Sequence, residues 1–341
     1  MNISSMTLGE LEQFVLSQNE KKFRAKQIFE WVHNKHVRSF SEMTSLSIGF
    51  REILEREHSF EQAEIEKKYE SSLNDVRKYL LRLEKDTIIE SVLMKYSFGH
   101  SICVSSQAGC AMGCAFCVSG EDGFFRDLSA YEILAQVYRV HEDIGERVSN
   151  IVIMGSGEPL HNFDNVVKFI EIVSSEQGIN IGKRHITLST CGIVPKIYDL
   201  ADLRLGINLA LSLHASNDDV RKQIMPIAKT YSMKDTLEAC DYYAKTTGRR
   251  ITYEYALVKS VNDSTEHARE LGAKLKGRLA HVNLIPVNAG AVTDFKSPDR
   301  KVIQKFYDIL INMGVNASRR RELGSDIAAA CGQLKAEYTK Q

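Results

Sequence analysis

Six short apolar runs, at residues 101–105, 150–154, 185–189, 207–213, 252–257 and 281–285, alternate with longer amphipathic stretches such as 129–146, 162–178, 232–247 and 264–277. No other feature constrains the chain more. A strand followed by a helix-length connection and another strand pairs in parallel with a right-handed crossover, because a helix must carry the chain back each time. Six such units suit an α/β fold built as an open, partial barrel rather than a closed eightfold one. Ligands of parallel α/β folds gather beyond the C-terminal ends of the strands, so the residues that follow each run are the candidate site.

The first run is followed by Cys110, Cys114 and Cys117, at intervals of four and three residues. So short a segment can wrap one compact inorganic centre, and thiolates are preferred ligands of iron–sulfur clusters and of zinc. Three thiolates can hold three irons of a 4Fe-4S cube and leave the fourth iron open for substrate chemistry. Zinc remains an alternative, with Cys103 as a fourth ligand, although structural zinc sites usually use paired spacings and this run offers one pair plus an offset cysteine. Disulfides are disfavoured, because nothing at the N-terminus reads as a secretory signal.

Hydrophobic residues make up 43% of 341, enough for a large core, and no apolar run approaches the length of a membrane helix, so a soluble cytoplasmic protein is expected. Forty-four basic and forty-four acidic residues cancel, which excludes a uniformly basic nucleic-acid coat and leaves RNA to local patches. Lys21, Lys22, Arg24, Lys26, Lys35 and Arg38 form one such patch and Arg319, Arg320 and Arg321 a second. Residues 1–58 read as short helices, with Leu8, Leu11 and Val15, then Ile28, Trp31 and Val32, at helical spacing. Residues 63–96 change to β-rich runs at 76–83 and 87–94 and read as a small antiparallel sheet. Glu90 lies in its last strand, where a carboxylate ordinarily faces solvent.

Residues 155–160, Gly-Ser-Gly-Glu-Pro-Leu, form a turn after the second run, in which glycines permit close backbone approach to a ligand and a carboxylate could meet a cationic amine. Leu160 stands where a dinucleotide-binding turn would need its third glycine. Ser189, Ser212 and His214 end the third and fourth runs, and Asn288 follows the sixth. Their hydroxyl, imidazole and amide groups suit a ligand with ribose and amino-acid groups.

The cysteine run, with Phe116 before its last cysteine, resembles the radical S-adenosylmethionine signature. Together with residues 23–31, 103–110, 155–160 and 330–334, it resembles the RlmN/Cfr family of RNA adenine methyltransferases in that family's order and nearly end to end. The resemblance implies a helical RNA-docking domain at 1–60, a β connector at 61–98 and a partial (β/α)6 radical-SAM barrel at 99–341. Within it, Cys110, Cys114 and Cys117 would hold one 4Fe-4S cluster, and Gly157, Glu158, Ser189, Ser212, Leu213, His214 and Asn288 would bind S-adenosylmethionine, used twice per turnover. Cys331 would accept a methyl group and become S-methylcysteine. Glu90 would remove the ring proton of the substrate adenine, and Cys103 would resolve the protein–RNA adduct by forming a disulfide with Cys331. Cys191 and Cys240 match nothing and read as structural.

The implied activity is methylation of carbon 2 of adenosine 2503 in 23S ribosomal RNA, extended to adenosine 37 of transfer RNA, with flavodoxin or ferredoxin as electron donor and a monomeric chain. Pro159 resembles the carbon-2 branch; a carbon-8 methyltransferase is the alternative. Outside the family stand a zinc-stabilised, non-catalytic RNA-binding protein and a radical enzyme with a non-RNA substrate. Two departures are Ser156, where the family usually has methionine, and Ala289, where proline commonly follows the asparagine.

Overall fold

The structure is a computed structural model and describes residues 2–60, 63–84, 87–121, 123–287, 295–320, 323–329 and 332–334. Three helices come first, α1 (Leu8–Ser17), α2 (Phe23–His33) and α3 (Ile48–Glu57). Helix α1 begins at a reciprocal cap, in which Thr7 accepts from the Glu10 amide while the Glu10 carboxylate accepts from the Thr7 amide. Leu11, Val15, Ile28, Phe29, Val32 and Leu54 form the apolar stripes of these helices and merge into the main hydrophobic core. They pack on α4 (Ala130–Ile144), where His33 Nδ1 lies 2.9 Å from the Tyr138 hydroxyl and the His36 ring rests 4.4 Å from that of Tyr138.

Strands β1 (Glu64–Glu70), β2 (Val76–Arg82), β3 (Ile88–Tyr96) and β4 (Gly99–Val104) pair antiparallel in that order. The hairpin β5 (Gln107–Gly109) and β6 (Phe124–Asp127) stands apart from the sheet. From β4 the sheet turns parallel, adding β7 (Val148–Ile153), β8 (Ile186–Thr190), β9 (Asn208–Ser212), β10 (Ile251–Leu257), β11 (Ala280–Pro286) and β12 (Ala317–Arg319) in sequence order. Helices α4, α5 (Phe163–Val173), α6 (Val194–Asp202), α7 (Asp218–Ile224), α8 (Met233–Thr247), α9 (Thr265–Leu275) and α10 (Arg300–Asn312) make the crossovers.

The six sequence-predicted strands correspond to β4 and β7–β11. The antiparallel connector is present and hydrogen-bonds to β4, so both parts share one ten-stranded sheet. The pattern does not reveal β12, because three residues with two polar side chains are too short to show a period. Among the described residues, no helix is long and apolar enough to cross a membrane.

Alternation along the strands divides the sheet into two chemistries. Ile102, Val104, Ile151, Ile153, Leu188, Leu209, Leu211, Tyr253, Tyr255, Val282 and Leu284 face the helices and are buried in the main core. The alternate residues, among them Lys78, Glu90, Cys103, Ser189, Ser212, Glu254 and Asn283, fall on the concave face. A two-residue period therefore presents one apolar side and one side rich in functional groups, which the sequence could only suggest strand by strand.

The contact between α2 and α4 carries a pH dependence. Burial pushes the pKa of His33 down to about 3, with His36 adding repulsion, and that of His36 down to about 4, with Arg139 and His141 adding repulsion. The unfolded chain binds protons at these histidines from about pH 6.5 downward whereas the folded chain does not, so stability is full above that pH and lost below it. The slope expected between pH 6 and 4 approaches about 2.7 kcal/mol per pH unit for the two groups, and His36→Asn should roughly halve it. Urea unfolding midpoints measured from pH 8 to 4 check this; a flat profile would refute it.

Candidate active site

The loop carrying the three cysteines leaves β5 and is tied down along its length. The Cys110 amide donates to the Gly123 carbonyl at 3.0 Å, the Ala115 amide to that of Ile224 at 2.9 Å and the Val118 amide to that of Gly332 at 2.9 Å. All three cysteines line an open cleft with a free volume of about 1050 Å³ at the C-terminal end of the parallel strands. This is the rim that the strand–helix alternation designates.

Across the cleft stands the turn that follows β7. A Cβ on Gly155 would lie 2.6–2.8 Å from Ser105 and the Val104 carbonyl carbon, and one on Gly157, whose φ is +103°, would lie 2.5 Å from the Gln107 Cβ. The glycines are thus required by the close approach of this turn to the chain leaving β4, and both also line the cleft. Segment 105–107 stitches the region together. Ser105 Oγ donates to the Glu90 carbonyl at 2.8 Å and accepts from the Ser156 amide at 3.0 Å, its backbone pairs with the Gln136 side chain, and Gln107 Oε1 accepts from the Glu158 amide at 2.8 Å. Ser156 is itself buried, with its hydroxyl 3.4 Å from the Gly109 carbonyl, so a short side chain fits where the family usually has methionine.

The Glu158 carboxylate lines the cleft while accepting from the amides of Cys191 at 2.7 Å and Leu160 at 3.0 Å. Burial pushes its pKa up, and the hydrogen bonds oppose that rise. Ser189 and Ser212 also line the cleft, together with Cys191, which sequence reasoning had set aside as structural. His214 is buried with φ +56°, and its Nδ1 accepts from the Ala256 amide at 2.9 Å. Burial holds its pKa near 3. The ring is therefore neutral at pH 7 and carries its proton on Nε2, which leaves a donor in the cleft wall. Leu213, between the lining residues Ser212 and His214, buries its side chain in the main core, while its amide donates to the Glu254 carbonyl at 3.1 Å. Asn288 lies outside the described residues.

Two residues of this region, Arg221 and Glu254, were not legible in the sequence, and Arg320 was read there only as part of a basic patch. Arg221 of α7 is fully buried and donates to the carbonyls of Leu213 at 3.2 Å, Cys191 at 2.7 Å and Ser212 at 3.4 Å, clamping the ends of β8 and β9. Glu254 lines the cleft, buried, with its carboxylate accepting from Asn283 at 2.8 Å and its carbonyl accepting from the Leu213 and His214 amides at 3.1 Å each. Arg320 lines the cleft near Glu254, whereas Arg319 bonds Gln304 at 2.6 Å, so the arginine run divides between two environments.

Glu90 and Cys103 sit further along the concave face. Glu90 is only 4% exposed, not solvent-facing, and its carboxylate pairs with Lys78 Nζ at 3.0 Å. Cys103 is buried in an apolar cluster with Val76, Val92, Met94, Ala329 and Leu334. Cys331 lies outside the described residues. The described residues beside that gap bracket the two halves of the face, since Ala329 packs in the Cys103 cluster and Gly332 bonds to Val118 next to Cys117. Cys240 is buried in the main core.

The donor set fits an iron–sulfur centre. Burial pushes the Cys110 thiol up to about 11 and raises Cys114 further, with repulsion from Cys117 and Glu158 adding to both and from Cys110 to Cys114. Without a positive centre these thiols stay protonated; a bound multi-iron cluster reverses that balance and deprotonates its ligands. A single zinc ion, with Zn–S bonds of about 2.3 Å, needs tightly convergent donors, and among the described residues no three His, Cys, Asp or Glu side chains converge in that way.

The Arg221 clamp yields a prediction. Arg221→Ala leaves three carbonyls unpaired and opens a cavity, at an expected cost of about 3 kcal/mol or more. Arg221→Lys should restore little, because one ammonium cannot span all three acceptors. Denaturant unfolding of the holoprotein checks both, and a cost under about 1 kcal/mol for the alanine variant would contradict the clamp.

Comparison with known proteins shows the family. Residues 104–272 match the Radical SAM superfamily, and residues 1–59 match the ribosomal RNA large subunit methyltransferase N-terminal domain. A probable dual-specificity RNA methyltransferase RlmN of Clostridium botulinum (strain Eklund 17B / Type B) is 54% identical over 99% of this chain and 97% of its own length, and one of Alkaliphilus oremlandii is 52% identical over 99% and 98%. The crystal structure of a radical SAM methyltransferase from Sphaerobacter thermophilus superposes with a TM-score of 0.91 at 39% identity, covering 99% of this chain and all of that one. Superfamily membership brings a 4Fe-4S cluster and S-adenosylmethionine and removes the zinc alternative. The chain belongs to the RlmN family of radical SAM methyltransferases.

Proposed function

We propose that this chain methylates carbon 2 of adenosine 2503 in 23S ribosomal RNA and of adenosine 37 in transfer RNA, with Cys331 as methyl carrier. The observation that carries this reading is the concave face. It holds the three-cysteine cleft at one end and Glu90 and Cys103 at the other, with Gly332 at the first and Ala329 at the second. The RlmN relatives bear the name of dual-specificity RNA methyltransferases, which supports RNA as substrate.

The chemistry follows from the substrate. Carbon 2 of adenine is too poor a nucleophile for direct methyl transfer, so the carbon must arrive by a radical route. When bound, the cluster supplies the electron that splits S-adenosylmethionine. The residues supply the rest. Cys110, Cys114 and Cys117 hold the cluster, while Gly157, Glu158, Ser189, Ser212, His214 and Asn288 position the cofactor, Glu158 meeting its amino group. Two cofactor molecules serve each turnover, the first methylating Cys331. Once Cys331 is joined through that carbon to the ring and the adduct has given up its unpaired electron, which would return to the cluster, Glu90 takes the ring proton. The Cys103 sulfur, losing its proton, then attacks that of Cys331 to form a disulfide. The carbon–sulfur bond breaks with its electron pair on carbon, and that carbon takes up a proton to become the methyl group of the released RNA.

The helical module at 1–60 docks the RNA, through a basic face in which Lys35 lies 3.6 Å from the Trp31 ring centroid and Lys22 pairs with Glu12 at 2.9 Å. Flavodoxin or ferredoxin supplies electrons, and the chain works as a monomer in the cytoplasm.

Anaerobically reconstituted protein, incubated with ribosomal and transfer RNA fragments, should yield 2-methyladenosine by mass spectrometry of digested RNA. 8-Methyladenosine in its place would assign the chain to the carbon-8 branch, and no methyladenosine on any RNA would defeat the proposal. Cys331→Ala should abolish product. Cys103→Ala should instead accumulate a covalent protein–RNA species, visible on denaturing gels.

A further inference from the structure

Glu90 has a partner whose role in the reaction is unassigned. Lys78 of β2 lies diagonally across from it on the concave face, since Leu80 is the residue paired with Glu90 in the strand register. Its ammonium is 3.0 Å from Glu90 Oε1, 3.4 Å from the Ala328 carbonyl and 5.3 Å from the Tyr69 ring centroid, and the residue is 8% exposed. A buried ion pair of this kind is a poor source of stability, because desolvation offsets most of the attraction. Its geometry answers a different need. A proton acceptor must be ionised before it acts, yet burial to 4% exposure favours the protonated carboxyl. An ammonium at hydrogen-bond distance restores the ionised form and fixes which oxygen is held.

The same ammonium reaches the chain three residues before Cys331. We propose that Lys78 is a positioning residue that holds Glu90 ionised and oriented for removal of the ring proton and tethers the segment leading to Cys331. This rests on the reading of Glu90 as proton acceptor. Among the groups facing the pair are Tyr69 from β1 and the Ala328 carbonyl of the C-terminal segment, and Cys103 of β4 shares the same face of the sheet. Once the adduct's unpaired electron has left, which would return to the cluster that supplied it, the step is a proton transfer alone: the ring C–H bond breaks, its electrons stay with the ring, the proton goes to a Glu90 oxygen, and Lys78 keeps its bond to Ala328.

The test is single-turnover reaction of the anaerobic holoprotein with an RNA fragment from pH 6 to 9, reading covalent protein–RNA adduct on denaturing gels and free methylated RNA by mass spectrometry. Glu90→Gln should accumulate adduct at every pH. Lys78→Met should accumulate adduct at neutral pH and release product as the pH rises, with the acid limb of release moved up by about one unit or more. Lys78→Arg, which keeps the charge, should stay near wild type. Release by Lys78→Met with the wild-type pH profile would overturn the proposal, as would failure to form adduct while cluster iron and RNA affinity remain intact. If Lys78→Met does not fold, Lys78→Gln faces the same criteria, keeping a donor without the charge. Wild-type release by Glu90→Gln would instead overturn the proton-acceptor reading, whatever Lys78 does.

Discussion

The site depends on one close contact between backbones. The chain leaving β4 at Ser105–Gln107 meets the turn after β7 so tightly that neither Gly155 nor Gly157 can carry a side chain. Through Ser105 and Gln107, this contact links the backbone of Glu90, the side chain of Gln136 in α4, and the Ser156 and Glu158 amides. Each of these groups is buried, so each bond replaces a desolvation cost that an unpaired group would carry. A displacement here would shift the cysteine loop, Glu158 and Glu90 together.

Around that contact the electrostatics have a common logic. The cleft gathers three thiols and the carboxylates of Glu158 and Glu254, and burial disfavours the ionised forms of Cys110, Cys114, Glu158 and Glu254. Such a lining is complementary to positive charge, as a multi-iron centre and a sulfonium cofactor with an amino group both provide. Arg221 adds a cation among these groups but spends it on backbone carbonyls, which makes it a clamp on strand ends. Further along the face, Lys78 is directed at a carboxylate instead, and the two buried cations thereby serve different ends.

The residues that were easy to read share one property: their information is local. The cysteine intervals limit the geometry of one loop, the glycines of 155–157 mark a turn, and alternating runs mark βα units. Leu213 shows the limit of such local reading, because its neighbours on both sides line the cleft while its own side chain turns into the core. Glu254 looked like any polar residue in a strand. The arginines at 319–321 looked like one patch until β12 directed Arg319 and Arg320 to different surroundings.

The sequence by itself determined the fold class, the three thiols of the cofactor loop and the rim on which the site had to lie, because periodicity and short spacing are properties of neighbouring residues. Tertiary structure alone decided that Lys78 meets Glu90, that Arg221 joins the ends of two strands, that Glu254 and Arg320 enter the cleft, and that Gly155 and Gly157 lie against the chain leaving β4. These depend on strand register and on packing between segments tens of residues apart. No local pattern encodes which distant groups will be buried against each other, or which charges must then find partners.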